Sequence, residues 1–144
     1  MKDIFDLLGR MFLSVIFFFD AYETMTYITI TKTKMTEYGI VWRQDLLLYL
    51  TIFLLILGGL MLLFGYRSKL GAFMLLLYLL PITFIIHSFW NDPDNIRRFQ
   101  SILFMKNIAI CGGLLSVIAH GSGKYSIKRL LASKKVPIGW KFFD

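Results

Sequence analysis

The chain has 144 residues, of which 57% are hydrophobic, 17% aromatic and only 17% charged, a mixture too apolar to cover a soluble domain of this size. Its formal charge of +7, from 16 Lys and Arg against 9 Asp and Glu, would suit nucleic acid, an acidic partner or an anionic membrane face, and the long apolar runs between the charges select the membrane. The single cysteine, Cys111, excludes an internal disulfide and a CxxC redox pair.

One domain over residues 1–144 is therefore expected: an all-α integral membrane four-helix transmembrane bundle with spans at about 11–30, 46–64, 70–90 and 102–119. Lys2 and Arg10 precede the first span, but Asp3 and Asp6 accompany them and no small-x-small cleavage site follows, so no removable signal peptide is read. Residues 11–19 are apolar but too short to cross, so the first span must continue through Asp20 and Glu23 to residues 27–30. Beyond it, Thr29 to Thr36 alternate with Ile28 and Ile30 in a strand-like way. The second span holds no charge and reaches roughly 28 Å at 1.5 Å per residue. The third contains Pro81, which predicts a kink, and ends on an interfacial aromatic, Trp90. The fourth is apolar apart from Lys106 and Asn107 near its start.

Four spans place Lys2, Arg10, Arg67, Lys69, Lys124, Lys128, Arg129, Lys134, Lys135 and Lys141 on one side. Lys32, Lys34, Arg43, Arg97, Arg98 and Lys106 fall on the other or toward it, and the positive-inside bias then puts both termini in the cytoplasm. Residues 121–144 read as a cytoplasmic basic tail, in which Ile127, Leu130 and Leu131 at helical spacing among basic residues suit either a surface anchor or a solvated tail that only sets topology.

Polar groups inside the spans are expensive, and they collect toward the outer half. Asp20 lies roughly 15 Å above Arg10 along a helix, with Glu23 one turn on. Thr83, His87 and Trp90 make a stripe on the third span, and the fourth adds Lys106, Asn107 and Cys111. A tentative ligand pocket lined by Asp20, Glu23, His87, Trp90, Lys106 and Asn107 follows. Each member also has an ordinary reading: Trp90 as a belt residue, His87 as a helix cap, Lys106 as a snorkelling cation, and the carboxylates as a structural ion network. Gly58 and Gly59, with Gly112 and Gly113, mark close helix packing. No phosphate loop, nucleophile elbow, zinc-protease helix or dinucleotide fingerprint occurs, and His87 and His120 fall on opposite sides, which argues against a bis-histidine haem.

Several short segments resemble the DoxX family of small four-helix bacterial membrane proteins: His87-Ser88-Phe89-Trp90, then Gln100, Phe104, Lys106-Asn107, Gly112-Gly113-Leu114-Leu115 and Gly121-Ser122-Gly123-Lys124-Tyr125-Ser126. Gly9-Arg10, residues 35–39, Gly58-Gly59 and Gly65 extend the likeness over about residues 9–129. The sequence departs from that pattern at Asp20, Ala21, Thr24 and Leu55, where family members often carry a Ser-Gly pair, a lysine and a glutamate. The resemblance implies subunits of quinone-linked oxidoreductases or of oxidative-stress complexes, with more distant eukaryotic relatives that look like cargo receptors. The leading expectation is thus a small accessory subunit of an inner-membrane complex, redox- or quinone-linked, and not an enzyme on its own. In that reading a quinone ring sits between Trp90 and Phe104, and His87 or Asp20 exchanges protons. The alternative is a membrane receptor, scaffold or small-solute transporter whose pocket uses Asp20 and Glu23 toward a basic ligand or Lys106. Expected partners are the lipid bilayer, other membrane subunits or a second copy, and no nucleic acid; no metal site is expected.

Overall fold

The structure is a computed structural model and describes residues 2–123, 125 and 126. The expected tail anchor around Ile127, Leu130 and Leu131 lies outside the described residues. Five α-helices follow one another: α1 Lys2–Thr26, α2 Ile28–Glu37, α3 Gln44–Phe64, α4 Ser68–Ile85 and α5 Asp94–His120, with a 3-10 turn at Phe89–Asn91 before the last. No strand occurs among the described residues. Three helices, α3, α4 and α5, are long and apolar enough to cross a membrane. The expected count of four is met in this strict sense by three only, because Arg10, Asp20 and Glu23 interrupt the apolar run of α1.

The threonine-rich stretch is helical, not extended. Thr31, Thr33 and Thr36 turn their hydroxyls onto the carbonyls of Tyr27, Thr29 and Lys32 at 3.0, 3.1 and 3.0 Å. These hydroxyls are thereby satisfied inside the helix, so the alternating pattern finds no need for a strand partner. Only Tyr27, at φ −111° and ψ 40°, separates α1 from α2. Backbone bonds run across this break, from the Tyr27 N–H to Glu23 and from the Thr31 N–H to Tyr27, both at 2.9 Å. The two helices form a single rod with a kink. No α2 residue is buried. Polar ties hold the helix instead: a Lys32–Asp45 ion pair, Gln44 Nε2 donating to Thr36 Oγ1 at 2.8 Å, and Tyr38 Oη donating to the Ile86 carbonyl at 3.0 Å.

Helix α4 stops at Ile85, short of the expected end at Trp90. Pro81 lies within its last turns and cannot donate to Leu77, while Thr83 Oγ1 bonds the Leu79 carbonyl at 2.6 Å. His87 and Trp90 consequently belong to the turn after α4, and the expected stripe of Thr83, His87 and Trp90 on one helix face does not exist.

Around the core, α1 lies along α3, α3 along α4 and α4 along α5, while α1 touches α5 only lightly. Phe17, Ala21, Leu55, Leu62, Leu75, Leu79, Cys111 and Leu114 are buried between them. The closest approach is between α3 and α4: a Cβ on Gly58 would stand 2.7 Å from Leu75 Cγ, and one on Gly71 would stand 2.7 Å from Met61 Cβ and 3.1 Å from the Gly58 carbonyl oxygen. Gly59 faces Phe18 of α1, and Gly113 faces Leu13. A Cβ on Gly112 would meet nothing within 4 Å among the described residues. The outward faces carry Phe12, Phe19, Phe53 and Phe73, as lipid contact requires.

At the end of the assembly that holds the N-terminus, Arg10 is buried to 1% exposure. Its guanidinium donates to the carbonyls of Leu62 at 3.3 Å, Tyr125 at 2.5 Å and Asp6 at 3.3 Å. The Leu62 carbonyl, in the last turn of α3, also accepts from the Gly65 N–H at 3.2 Å, and the cationic guanidinium beside it interacts favourably with the negative end of the helix dipole. Gly65 ends α3 in the left-handed region at φ 65°, and the guanidinium occupies the space where a Cβ would stand. A Ser68–Ser122 hydroxyl pair at 2.7 Å and Lys69 Nζ on the Ala119 carbonyl at 3.3 Å tie α4 to the chain leaving α5.

Candidate functional site

At the other end, beneath α2, a cavity of about 420 Å³ opens between α1, α2, α4 and α5. Five of the six residues expected to line a pocket do so: Asp20, Glu23, His87, Lys106 and Asn107. Trp90 does not. It belongs to an aromatic cluster with Phe84, Phe89 and Phe104, and its ring meets Phe104 edge-to-face at 5.9 Å. The slot expected to hold a quinone between Trp90 and Phe104 is therefore filled by the two rings themselves.

Helical spacing explains the α1 and α2 wall. Asp20, Glu23, Tyr27, Ile30 and Lys34 recur at steps of three and four, a continuous stripe carried across the Tyr27 kink. Asp20 is half-buried and Glu23 exposed to the opening, while Thr24 Oγ1 is engaged by the Asp20 carbonyl at 2.8 Å. Opposite them, α4 supplies Tyr78, Leu79 and Ile82, and α5 supplies Lys106 and Asn107. Tyr78, Tyr27, Thr31 and Lys34 were not singled out from sequence. The signal for Lys34 was the spacing from Glu23, concealed by reading residues 29–36 as extended; Tyr78 carried no signal beyond being a phenol inside an apolar run.

The electrostatics of the site are unusual in one respect. Asp20 lies within electrostatic reach of Lys106, Glu23 and His87. Even so, among the described residues the carboxylates of Asp20 and Glu23 and the amines of Lys34 and Lys106 make neither ion pair nor hydrogen bond; the ion pairs found there are Lys32–Asp45 and Arg97–Asp94. His87 Nδ1 is 2.8 Å from Gln100 Oε1, an arrangement in which Nδ1–H donates to the amide oxygen. Asn107 is 6% exposed and its side chain makes no hydrogen bond among the described residues. Among the described residues no fully buried side-chain polar atom lacks a partner, so the Asn107 amide meets open space, and the cavity is the space it lines. Among the described residues no three His, Cys, Asp or Glu side chains converge as metal ligands. Two carboxylates, two amines, an imidazole and an amide thus line one open cavity, which suits binding a charged or strongly polar molecule.

Comparison with known proteins agrees with a membrane protein and corrects the family. The model of the SURF4 family matches residues 34–135. Inner membrane protein YqjF of Escherichia coli (strain K12) is 31% identical over 134 residues, 93% of this chain and 97% of that protein. A Surfeit locus protein 4 homolog of Schizosaccharomyces pombe is 34% identical over 91 residues, 62% of this chain and 29% of the relative. The ER-derived vesicles protein ERV29 of Saccharomyces cerevisiae is 32% identical over 79 residues, 55% of this chain and 26% of the relative. The chain therefore spans nearly the whole of the bacterial relative and between a quarter and a third of the yeast ones. No solved structure matches it at a significant level. The SURF4 match overturns the resemblance to DoxX, and with it the redox- or quinone-linked subunit that the resemblance implied.

Proposed function

This chain belongs to the SURF4 family, and on that premise we propose that it is a multi-pass membrane receptor or small-solute carrier that takes a polar ligand into the cavity between α1, α2, α4 and α5. One observation carries the reading: charged groups of both signs line one cavity of about 420 Å³ without pairing with each other. Asp20 is half-buried and Glu23, Lys34 and Lys106 are exposed, so water serves these charges when the cavity is empty and a ligand that carries polar or charged groups can replace that water. Pockets of roughly 300–1,000 Å³ are the usual size for small-molecule sites.

In this proposal α1 is a fourth span, its charges sheltered by the cavity at one end and by the Arg10 contacts at the other. Both termini face the cytoplasm, and the cavity lies in the outer half of a bacterial inner membrane. The excess of basic residues on the terminal side supports that orientation, and the printed name of the Escherichia coli relative supports the membrane. The test uses a Cys111→Ala background carrying Thr24→Cys or Glu23→Cys, treated with a membrane-impermeant thiol reagent on intact cells and on inverted vesicles. Labelling from the cell exterior is expected at both positions. Labelling from the cytoplasmic face alone overturns the orientation; absence of labelling from either face overturns the open cavity.

A further inference from the structure

Building on the receptor or carrier reading, we propose that the cavity ligand is a zwitterion: a primary ammonium joined to a carboxylate or phosphate. The lining has two carboxyl side chains, Asp20 and Glu23, and two amines, Lys34 and Lys106, beside the imidazole of His87. A simple cation entering this space would leave the two amines uncompensated, and a simple anion would leave the two carboxylates so. A dipolar molecule offers a partner of opposite sign to both sets at once, which favours it over the other two.

Donors and acceptors sharpen the choice at the carboxylates. Those of Asp20 and Glu23, when ionised, only accept. A primary ammonium brings three N–H donors to these acceptors; a trimethylammonium brings none. Lys106 and Lys34, on α5 and α2, match an oxyanion. An independent observation points to a ligand as well. Asn107, next to Lys106, is more than nine-tenths buried, lacks a hydrogen bond among the described residues and lines the cavity, so a polar group from outside the chain completes it. Leu79, Ile82 and Ile30 supply apolar wall for a short attached chain. The same chemistry comes from a soluble amino acid or from the headgroup of phosphatidylethanolamine, which would enter on the side where α1 and α5 barely touch.

The experiment measures the rate of thiol labelling at Thr24→Cys in a Cys111→Ala background, with the full chain in lipid nanodiscs. Discs of pure phosphatidylcholine receive alanine, O-phosphoethanolamine or phosphocholine at increasing concentration, and a parallel set contains phosphatidylethanolamine. The expected result is labelling slowed about tenfold at roughly ten times the dissociation constant, by alanine or O-phosphoethanolamine for a soluble ligand or by phosphatidylethanolamine discs for a lipid. Phosphocholine should not protect. Asp20→Asn and Lys106→Met, which remove one charge of each sign, should each abolish the protection. Equal protection by phosphocholine, or protection by none of the probes while labelling proceeds, overturns the zwitterion and leaves the open cavity standing. No labelling at Thr24→Cys in any disc overturns both.

Discussion

Arg10→Ala should unfold this protein far more readily than any surface change. The side chain is 1% exposed and is the donor that joins α1, the end of α3 and the segment after α5. A hydrogen bond from a charged donor contributes about 1.5–3 kcal/mol. The bond to Leu62 is buried and takes the full value, while those to Tyr125 and Asp6 are part-buried, so water replaces them at about half the loss. Removing the guanidinium also relieves the cost of burying its charge, which brings the net loss to about 2–4 kcal/mol. At this chain length that corresponds to a fall in Tm of about 5–15 °C, read from tryptophan fluorescence of the purified protein in mild detergent. Gly65→Ala should show a comparable defect, because its Cβ would overlap the guanidinium and its φ of 65° is in the left-handed region. In the Arg10→Ala background the overlap with the guanidinium disappears, and the defect should shrink to the contact with Ser126 Cβ at 2.7 Å and a backbone penalty of about 1 kcal/mol. An Arg10→Ala protein melting within about 2 °C of the wild type, or full additivity of the two changes, would refute the role assigned to this side chain.

Two further outcomes are expected. Gly71→Ala should cost about 1–3 kcal/mol through contact with Met61 and the Gly58 carbonyl, whereas Gly112→Ala, with nothing within 4 Å, should be neutral or stabilising by up to about 1 kcal/mol in a Tm measurement; equal losses would contradict the packing. Burial first, then the carboxylates of Asp92 and Glu37, push the Tyr38 phenol above its ordinary range. Its folded form therefore holds the proton more tightly, and that stabilisation is present below the ordinary tyrosine pKa of about 10 and is lost as pH rises through the raised value. Tyr38→Phe should flatten this alkaline decline in Tm, and an unchanged slope would count against it.

Length and charge alone led to an all-helical membrane chain, because an apolar run long enough to cross a bilayer is a local property and α3 shows it without any knowledge of its neighbours. Asp20, Glu23, His87, Lys106 and Asn107 were likewise recognisable as a group, since polar residues inside apolar runs are costly wherever they occur. Family identity was misread from the same letters: glycine pairs and an aromatic beside a helix end meet needs common to many membrane helices, so they mark architecture rather than ancestry. Tertiary structure alone decided three matters. It continued α1 through Tyr27 into α2, which brought Lys34 to the cavity; it ended α4 at Ile85, which sent Trp90 into an aromatic cluster; and it closed Arg10 onto Leu62 and Tyr125. The last contacts join residues 52 and 115 positions apart, and no periodicity read along a chain records which carbonyl a distant guanidinium will reach.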